Sequence, residues 1–384
     1  MLKYWLWLSS LRGVGPVAST RLLERFGTPR DVYFAASAQL SELSWLGATE
    51  RKALADKSMD AVERILEACE EKDIRIFTLQ DSQYPERLRN IYDPPLVLYV
   101  RGTLPDMDNE AAVAMVGSRE ATMYGLMTAE KLAAQVTEHG GLIVSGLAKG
   151  IDAASHKGAL RAGGRTVAVL GCGVDVVFPK ENEQLYEDVI SAGAIISEYP
   201  PGSEPLGMHF PQRNRIISGL SLAVVVVEAT RRSGALITAA LAADQGREVF
   251  AVPGNVDVPQ SAGCLSLLRE GANIASSGWD IVRDFVPLFP GKLIEKPRRK
   301  GGLISESLAV PEEDSGNPAV HRAPPPEISE EERLVYDCLG EHSLLADEIS
   351  DLTGLQVEKV LSALTVLESA ECVIQEPGDR FRRA

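Results

Sequence analysis

Apolar positions follow different rhythms in different parts of this chain. Between residues 111 and 255 they gather in six short runs: AAVAMVGSRE, GLIVSGLAKG, RTVAVLGCG, GAIISEYPPG, LAVVVVEAT and REVFAVPGN. Continuous Val, Ile and Ala imply burial on both faces, the condition of a strand inside a parallel sheet. The intervening stretches, among them 124–139, 181–191 and 234–245, have helical length and spacing. The alternation predicts an α/β fold, a doubly wound parallel sheet. Ligands of such sheets sit beyond the carboxyl ends of the strands. There the chain places Gly, Ser, Arg and Glu.

The flanks read differently. The segment LRGVGPVASTRLLERFG has glycines on either side of Val14, Pro16 where a helix opens, and apolar residues at 17, 22, 23 and 26. It reads either as a helix-hairpin-helix turn, with N–H groups open to a phosphate, or as a packing turn of a helical bundle. ELSWLGATERKAL is a candidate degenerate second copy. From Ile74 to Gly102 the pattern is strand, Tyr-Pro turn, short helix, Pro-Pro turn, strand, with a soft break at 101–109. A stretch with a basic knot, an acidic run and Pro324 to Pro326 reads as a disordered linker over 291–326. Residues 327–384 show helical patterns at 329–339, 344–353 and 356–369, then a hairpin, CVIQEPGDRFRR, turning at Pro377-Gly378. Three helices and a β-wing predict a winged helix. Glu330, Glu331 and Glu332 suit the positive first turn of its first helix. Its third helix carries Glu358, Lys359 and Glu368, so a protein contact or a self-contact fits better than a DNA groove.

Composition narrows the class. Of 384 residues 45% are apolar and 24% charged, the balance of a soluble globular protein. No apolar run nears the roughly 20 residues that span a bilayer, and Met1 to Leu8 lacks the basic cluster and cleavage site of a signal peptide. Five cysteines without a CxxC pair argue against a disulfide framework or structural zinc, and for a reducing cytoplasm. Net charge is −15: residues 1–105 are neutral, 106–290 carry −7 and 291–384 carry −8. A polyanion site must therefore be a local concentration of positive charge.

Candidate chemistry lies at the strand ends. In VGSR, Gly117 permits a tight turn, and Ser118 and Arg119 present a hydroxyl and a guanidinium suited to phosphate. SGLAKGID repeats the arrangement with Ser145, Gly146 and Lys149, and Asp152 can cap the next helix. GCGVD is a lone GxG, without the rest of a dinucleotide fingerprint. HFPQRNRIISG sets the Phe210 ring beside Arg213, Asn214 and Arg215, as single-strand readers do. Alternatively Phe210 is a core anchor and the arginines pair with acids such as Glu198 or Glu228. In EATRRSGALITAA, Ser233 and Gly234 open a helix with free N–H groups, Thr238 follows one turn later, and Arg231 and Arg232 add charge. No triad, HExxH or Walker A sequence occurs, and His156 reads as a structural residue.

Taken in order, VGSRE, SGLAKGIDAASH, AVLGCGVDVVFPKEN, SEYPPG, FPQRNRIISGLS, EATRRSGALITA and VFAVPGN resemble the DNA-processing protein A (DprA/Smf) family, with YPERLRNIYDPPLVLYVRG upstream also similar. The likeness spans roughly residues 74–275 and divides the chain into a helical SAM/helix-hairpin-helix-like domain (1–73), an extended Rossmann-like core (74–290), the linker (291–326) and the winged helix (327–384). The resemblance implies a non-catalytic protein that binds single-stranded DNA, protects incoming strands during natural transformation and hands them to the RecA recombinase. It implies a homodimer formed through the Rossmann domain, in the cytoplasm, without cofactor, metal or membrane. Carried over by motif, the DNA-binding residues are Gly117, Ser118, Arg119, Ser145, Gly146, Phe210, Arg213, Asn214, Arg215, Ser233, Gly234 and Thr238. PLGMH, before Phe210, departs from the pattern in having no lysine.

The rival is a nucleotide-processing enzyme, a phosphoribohydrolase of the lysine-decarboxylase-like Rossmann group. It requires PGGxGT with a catalytic Glu where this chain has EATRRSGALIT and Glu228. An NAD enzyme requires GxGxxG, which VGSREA does not supply.

Overall fold

The computed structural model describes residues 1–296, 329–339, 344–370, 372–376 and 380–383. The Pro377-Gly378 turn and most of the expected linker lie outside the described residues. The chain forms two compact units, Met1–Arg298 and Arg299–Ala384.

The first unit starts with six helices: α1 (Leu2–Ser10), α2 (Pro16–Phe26), α3 (Pro29–Phe34), α4 (Ser37–Ser41), α5 (Ala48–Ala55) and α6 (Asp60–Glu71). Proline opens α2 and α3, where its missing N–H has no intrahelical acceptor to lose. Strand β1 (Arg75–Thr78), helix α7 (Glu86–Arg89) and strand β2 (Val97–Gly102) follow. The six apolar runs then become β3 (Ala112–Val116), β4 (Leu142–Ser145), β5 (Thr166–Val169), β6 (Ala194–Ser197), β7 (Ala223–Val226) and β8 (Glu248–Ala251). Between them lie α8 (Met123–Glu138), α9 (Ile151–Arg161), α10 (Glu183–Ala192), α11 (His209–Gly219) and α12 (Gly234–Asp244). Helix α13 (Ala262–Arg269), the short β9 (Asn273–Ile274) and α14 (Gly278–Val282) close the unit.

The nine strands run in the order β1-β2-β6-β5-β4-β3-β7-β8-β9. Pairs β1–β2 and β2–β6 are antiparallel, and the rest are parallel. From β3 the chain steps outward through β4, β5 and β6, then returns to place β7 on the other flank of β3. The carboxyl end of β3 is thus the topological switch point, where the crossovers to either side leave a crevice. Alternation along β3 explains its apolar composition. Ala112, Ala114 and Val116 face the layer containing Ile216, Ile217 and Ala239, whereas Val113 and Met115 face the layer containing Leu132, Val136 and Ile151. The N-terminal helices share a core with the sheet: Trp7, Leu22, Leu54 and Val62 join Val97, Tyr99, Leu170 and Ile195 in one apolar cluster. Among the described residues no helix is long and apolar enough to cross a membrane.

The second unit holds α15 (Glu330–Cys338), β10 (Leu344–Leu345), α16 (Ala346–Thr353), α17 (Val357–Ser369), β11 (Val373–Glu376) and β12 (Arg380–Arg383). Its antiparallel sheet has the order β10-β12-β11, and Val335, Ile349, Leu364 and Phe381 fill its core. Ser329 caps α15 in a box with Glu332. On the third helix Lys359 is paired with Glu331 at 2.6 Å, which leaves its surface without excess positive charge. The unit is a winged helix.

Candidate nucleic-acid interface

A cavity of about 550 Å³ opens at the switch point. Three segments build it. From the end of β3 come Gly117, Ser118 and Arg119; from α11, Phe210, Arg213 and Asn214; from the start of α12, Ser233, Gly234 and Thr238. Nine of the twelve residues singled out in the sequence therefore meet around one space. Ala148, Asp152 and Thr230, which the sequence reading had not assigned to the site, also line it.

Each position has a local cause. The turn after β3 is pinned where the Ser118 N–H donates to the Glu228 carbonyl at 2.8 Å. A Cβ on Gly117 would stand 2.6 Å from Ile151 Cγ1, so the close approach of α9 to the strand end requires glycine. Arg119 then emerges exposed, with no hydrogen-bond or ion-pair partner among the described residues. Its Cζ stands 5.2 Å from the Phe210 ring centroid, within the range of a cation–π contact. Phe178 lies 5.6 Å from Phe210, centroid to centroid, at a tilt of 34°. It belongs to a smaller apolar hollow of about 100 Å³ that shares Arg119 and Phe210 with the main cavity. Nothing in the local sequence around Phe178 indicated this, because Phe178 lies on the segment between β5 and α10 and Phe210 on α11.

Arg213 differs from Arg119. It is 4% exposed, its Nη1 donates to the Val169 carbonyl at 2.7 Å, and its guanidinium fills the space where a Cβ of residue 146 would be. Asp152, also buried, accepts from the Gly146 N–H at 3.2 Å. Burial pushes the Asp152 carboxyl up, opposed by Arg213 and by the N–H groups of Ala148 and Gly146. This arginine and aspartate form a fixed, nearly neutral floor. The exposed positive charge at the rim is Arg119.

On the opposite wall Ser233 caps α12, its hydroxyl accepting from the Ala235 N–H at 3.3 Å. The first turn of that helix faces the cavity with its partial positive charge. Thr238 is 1% exposed and sits at the base.

Three residues expected at the site stand elsewhere. Ser145 is fully buried, and its hydroxyl donates to the Met115 carbonyl at 2.6 Å, tying β4 to β3. Gly146 lines the small hollow rather than the main cavity. Arg215 is on the other side of α11, paired with Asp93 at 3.1 Å and Glu198 at 2.6 Å. Of the two readings open for the arginines, internal pairing holds for Arg215. Helical geometry accounts for this: residues 210, 213, 214 and 217 share one face, and 215 is about 200° from 213.

Two further candidates also have structural partners. Glu228 accepts from the Thr122 N–H at 2.9 Å and from Thr122 Oγ1 at 2.5 Å, securing the start of α8. His156 is fully buried against Thr166 Oγ1 at 2.8 Å. Thr166 donates its own proton to the Ile143 carbonyl, so it must accept from His156 Nδ1, which fixes the neutral tautomer. Burial, aided by Arg213, lowers the imidazole pKa to about 3.

A family model described as DNA recombination-mediator protein A matches residues 75–286, and one described as the DprA winged helix domain matches residues 319–379. The chain belongs to the DNA-processing protein A (DprA/Smf) family. Protein Smf of Synechocystis is 35% identical over 390 residues, covering 99% of this chain and 98% of its own. DNA processing protein DprA of Streptococcus pneumoniae is 46% identical over 209 residues, 54% of this chain and 73% of its own. The X-ray structure of the Streptococcus pneumoniae DNA processing protein A superimposes with a TM-score of 0.60 at 35% identity, covering 74% of this chain and 98% of that one. For this DprA/Smf family member, the family match spans every segment that lines the cavity.

Proposed function

We propose that this DprA/Smf family member binds single-stranded DNA in the switch-point cavity and acts as a recombination mediator. It protects incoming strands during natural transformation and passes them to the RecA recombinase, working in the cytoplasm as a homodimer formed through the sheet-containing unit. The observation that carries the DNA reading is the exposed, unpaired Arg119 above the Phe210 ring, opposite the start of α12. An unstacked base can lie on an aromatic face while guanidinium and helix N–H groups take its phosphates. In a duplex that face of the base is already covered by its neighbours, so the geometry favours a single strand. With a net charge of −15 the body of the protein contributes no attraction of its own, and binding rests on these few contacts. The nucleotide-enzyme alternative is not favoured, because the carboxylate it requires, Glu228, is engaged by Thr122.

Fluorescence anisotropy with labelled oligo(dT) and the corresponding duplex tests the reading. Selective binding of the single strand, lost in Arg119→Ala, is expected. Equal affinity for the duplex, or no effect of Arg119→Ala, overturns it.

A further inference from the structure

Helices α1 and α3 meet through a row of aromatic rings. Trp7 lies 5.0 Å from Tyr33, Tyr33 5.2 Å from Tyr4 and 5.1 Å from Phe34, centroid to centroid. Trp7 is buried and anchors the row in the core, whereas Phe34 is 65% exposed. The start of α1 adds Met1 and Leu2, both exposed. Exposed apolar groups gathered in one place mark a contact surface.

Three cations sit on these rings. Arg30 Cζ is 6.0 Å from the Phe34 centroid and Lys3 Nζ is 5.2 Å from that of Tyr4. Lys57 Nζ is enclosed between Trp7 at 4.7 Å and Tyr33 at 5.1 Å, without a hydrogen-bond partner. None of the three has an ion-pair partner among the described residues. The chain has 54 acidic residues against 39 basic. Yet α1 and α3 hold one carboxylate between them, Asp31, and it accepts from Thr28 Oγ1 at 2.6 Å. The patch is therefore a local concentration of positive charge on an acidic body, as a polyanion contact requires. Lys57 lends its charge from behind the rings, while Lys3 and Arg30 are exposed and open to a ligand.

The combination selects the ligand. Rings that can stack, beside cations that can leave them for a phosphate, are the two parts of a single-strand surface without sequence preference. An acidic peptide would engage the cations but offer the Phe34 ring no planar partner. A duplex keeps the faces of its bases covered.

We propose that Phe34 and Tyr4, with Arg30 and Lys3, form a second contact for single-stranded nucleic acid, with bases resting on the rings and backbone phosphates meeting the two cations. The patch belongs to the same compact unit as the switch-point cavity. A strand held in the cavity is presented to it at a raised effective concentration, and to that extent the inference rests on the reading above.

The experiment uses the full chain and keeps the two sites apart. Anisotropy is recorded with labelled oligo(dT) from about 6 to about 40 nucleotides for wild type, Phe34→Ser, the double variant Lys3→Gln/Arg30→Gln, and Arg119→Ala. The long oligonucleotide is expected to lose about tenfold in affinity in Phe34→Ser, while the shortest, held by the cavity alone, is unaffected. The double variant leaves the aromatic packing intact, so it repeats the test independently of folding. Its salt slope for the long strand should be shallower by about 1.4, about 0.7 for each phosphate released. Photocrosslinking with 5-iododeoxyuridine strands should label Phe34 or Tyr4. Unchanged long-strand affinity in both variants, with no crosslink on α1 or α3, overturns the patch. Poly-glutamate that competes as well as oligo(dT) for the patch, again without a crosslink, assigns it to an acidic protein and overturns the nucleic-acid reading of it. If Arg119→Ala is without effect while Phe34→Ser loses the long strand, the cavity reading fails and the patch stands.

Discussion

The guanidinium of Arg213 occupies the place where residue 146 would carry a Cβ, and that residue is glycine. The two positions are thus one packing unit, joining the loop after β4 to α11 beneath the cavity. Gly146→Ala must displace a buried arginine that is bonded to the Val169 carbonyl. Overpacking of this kind costs about 1–3 kcal/mol. A lower urea midpoint is expected, together with weaker single-strand binding as the floor shifts. An unchanged midpoint would show that Arg213 moves freely.

Arg119→Ala and Phe210→Ala remove the exposed guanidinium and the half-buried ring beneath it. Each is expected to weaken oligo(dT) binding by about tenfold or more. Arg119 has no hydrogen-bond or ion-pair partner to lose among the described residues, only its exposed contact with the Phe210 ring, so its variant should melt close to the wild type by calorimetry. A normal affinity in well-folded variants would move the site elsewhere.

Salt supplies an independent count of phosphate contacts. For single strands the slope of log K against log salt is about −0.7 per phosphate neutralised. Arg119→Ala should make that slope shallower by about 0.7, measured by anisotropy from 50 to 300 mM salt. A full-length slope in the variant would mean that Arg119 touches only bases.

Arg215→Ala should behave as a stability mutant. It leaves Asp93 and Glu198 facing each other with their shared cation removed. Breaking a buried pair from one side costs about 3–5 kcal/mol. Arg215→Lys restores charge without the fork and should recover only part of this in the same denaturation assay.

His156 gives the fold an acid-side weakness. Its folded pKa of about 3 is below the unfolded value of 6.5, so between these limits the unfolded chain binds the extra proton. Its contribution is therefore complete above pH 6.5 and declines as pH falls toward 3. At pH 5 the loss is about 2 kcal/mol. His156→Leu should flatten this part of the stability–pH profile, and a profile as steep as the wild type's would assign the slope to other groups.

The six central strands were legible because burial on both faces leaves only apolar residues, as in LAVVVV before Glu228. Strand β9 was not. It has two residues, both exposed, at the sheet edge, so no pattern marks it. In the site, the turn residues of VGSR and the start of α12 could be read from local rules of strand ends and helix starts. The separation of Arg213 from Arg215 required one further step, placing 209–219 on a helical wheel. The burial of Ser145 and the approach of Phe178 depend on neighbours far away in sequence, β3 and α11, which local pattern does not reveal.

The apolar cluster that joins Trp7, Leu22 and Leu54 to Val97, Tyr99 and Ile195 leaves no seam between helices and sheet. A partner docked on the outer helices would therefore bear on the same apolar layer that backs the sheet. A protein shortened to begin at residue 74 would expose that sheet face to water and turn a load-transmitting joint into an adhesive surface.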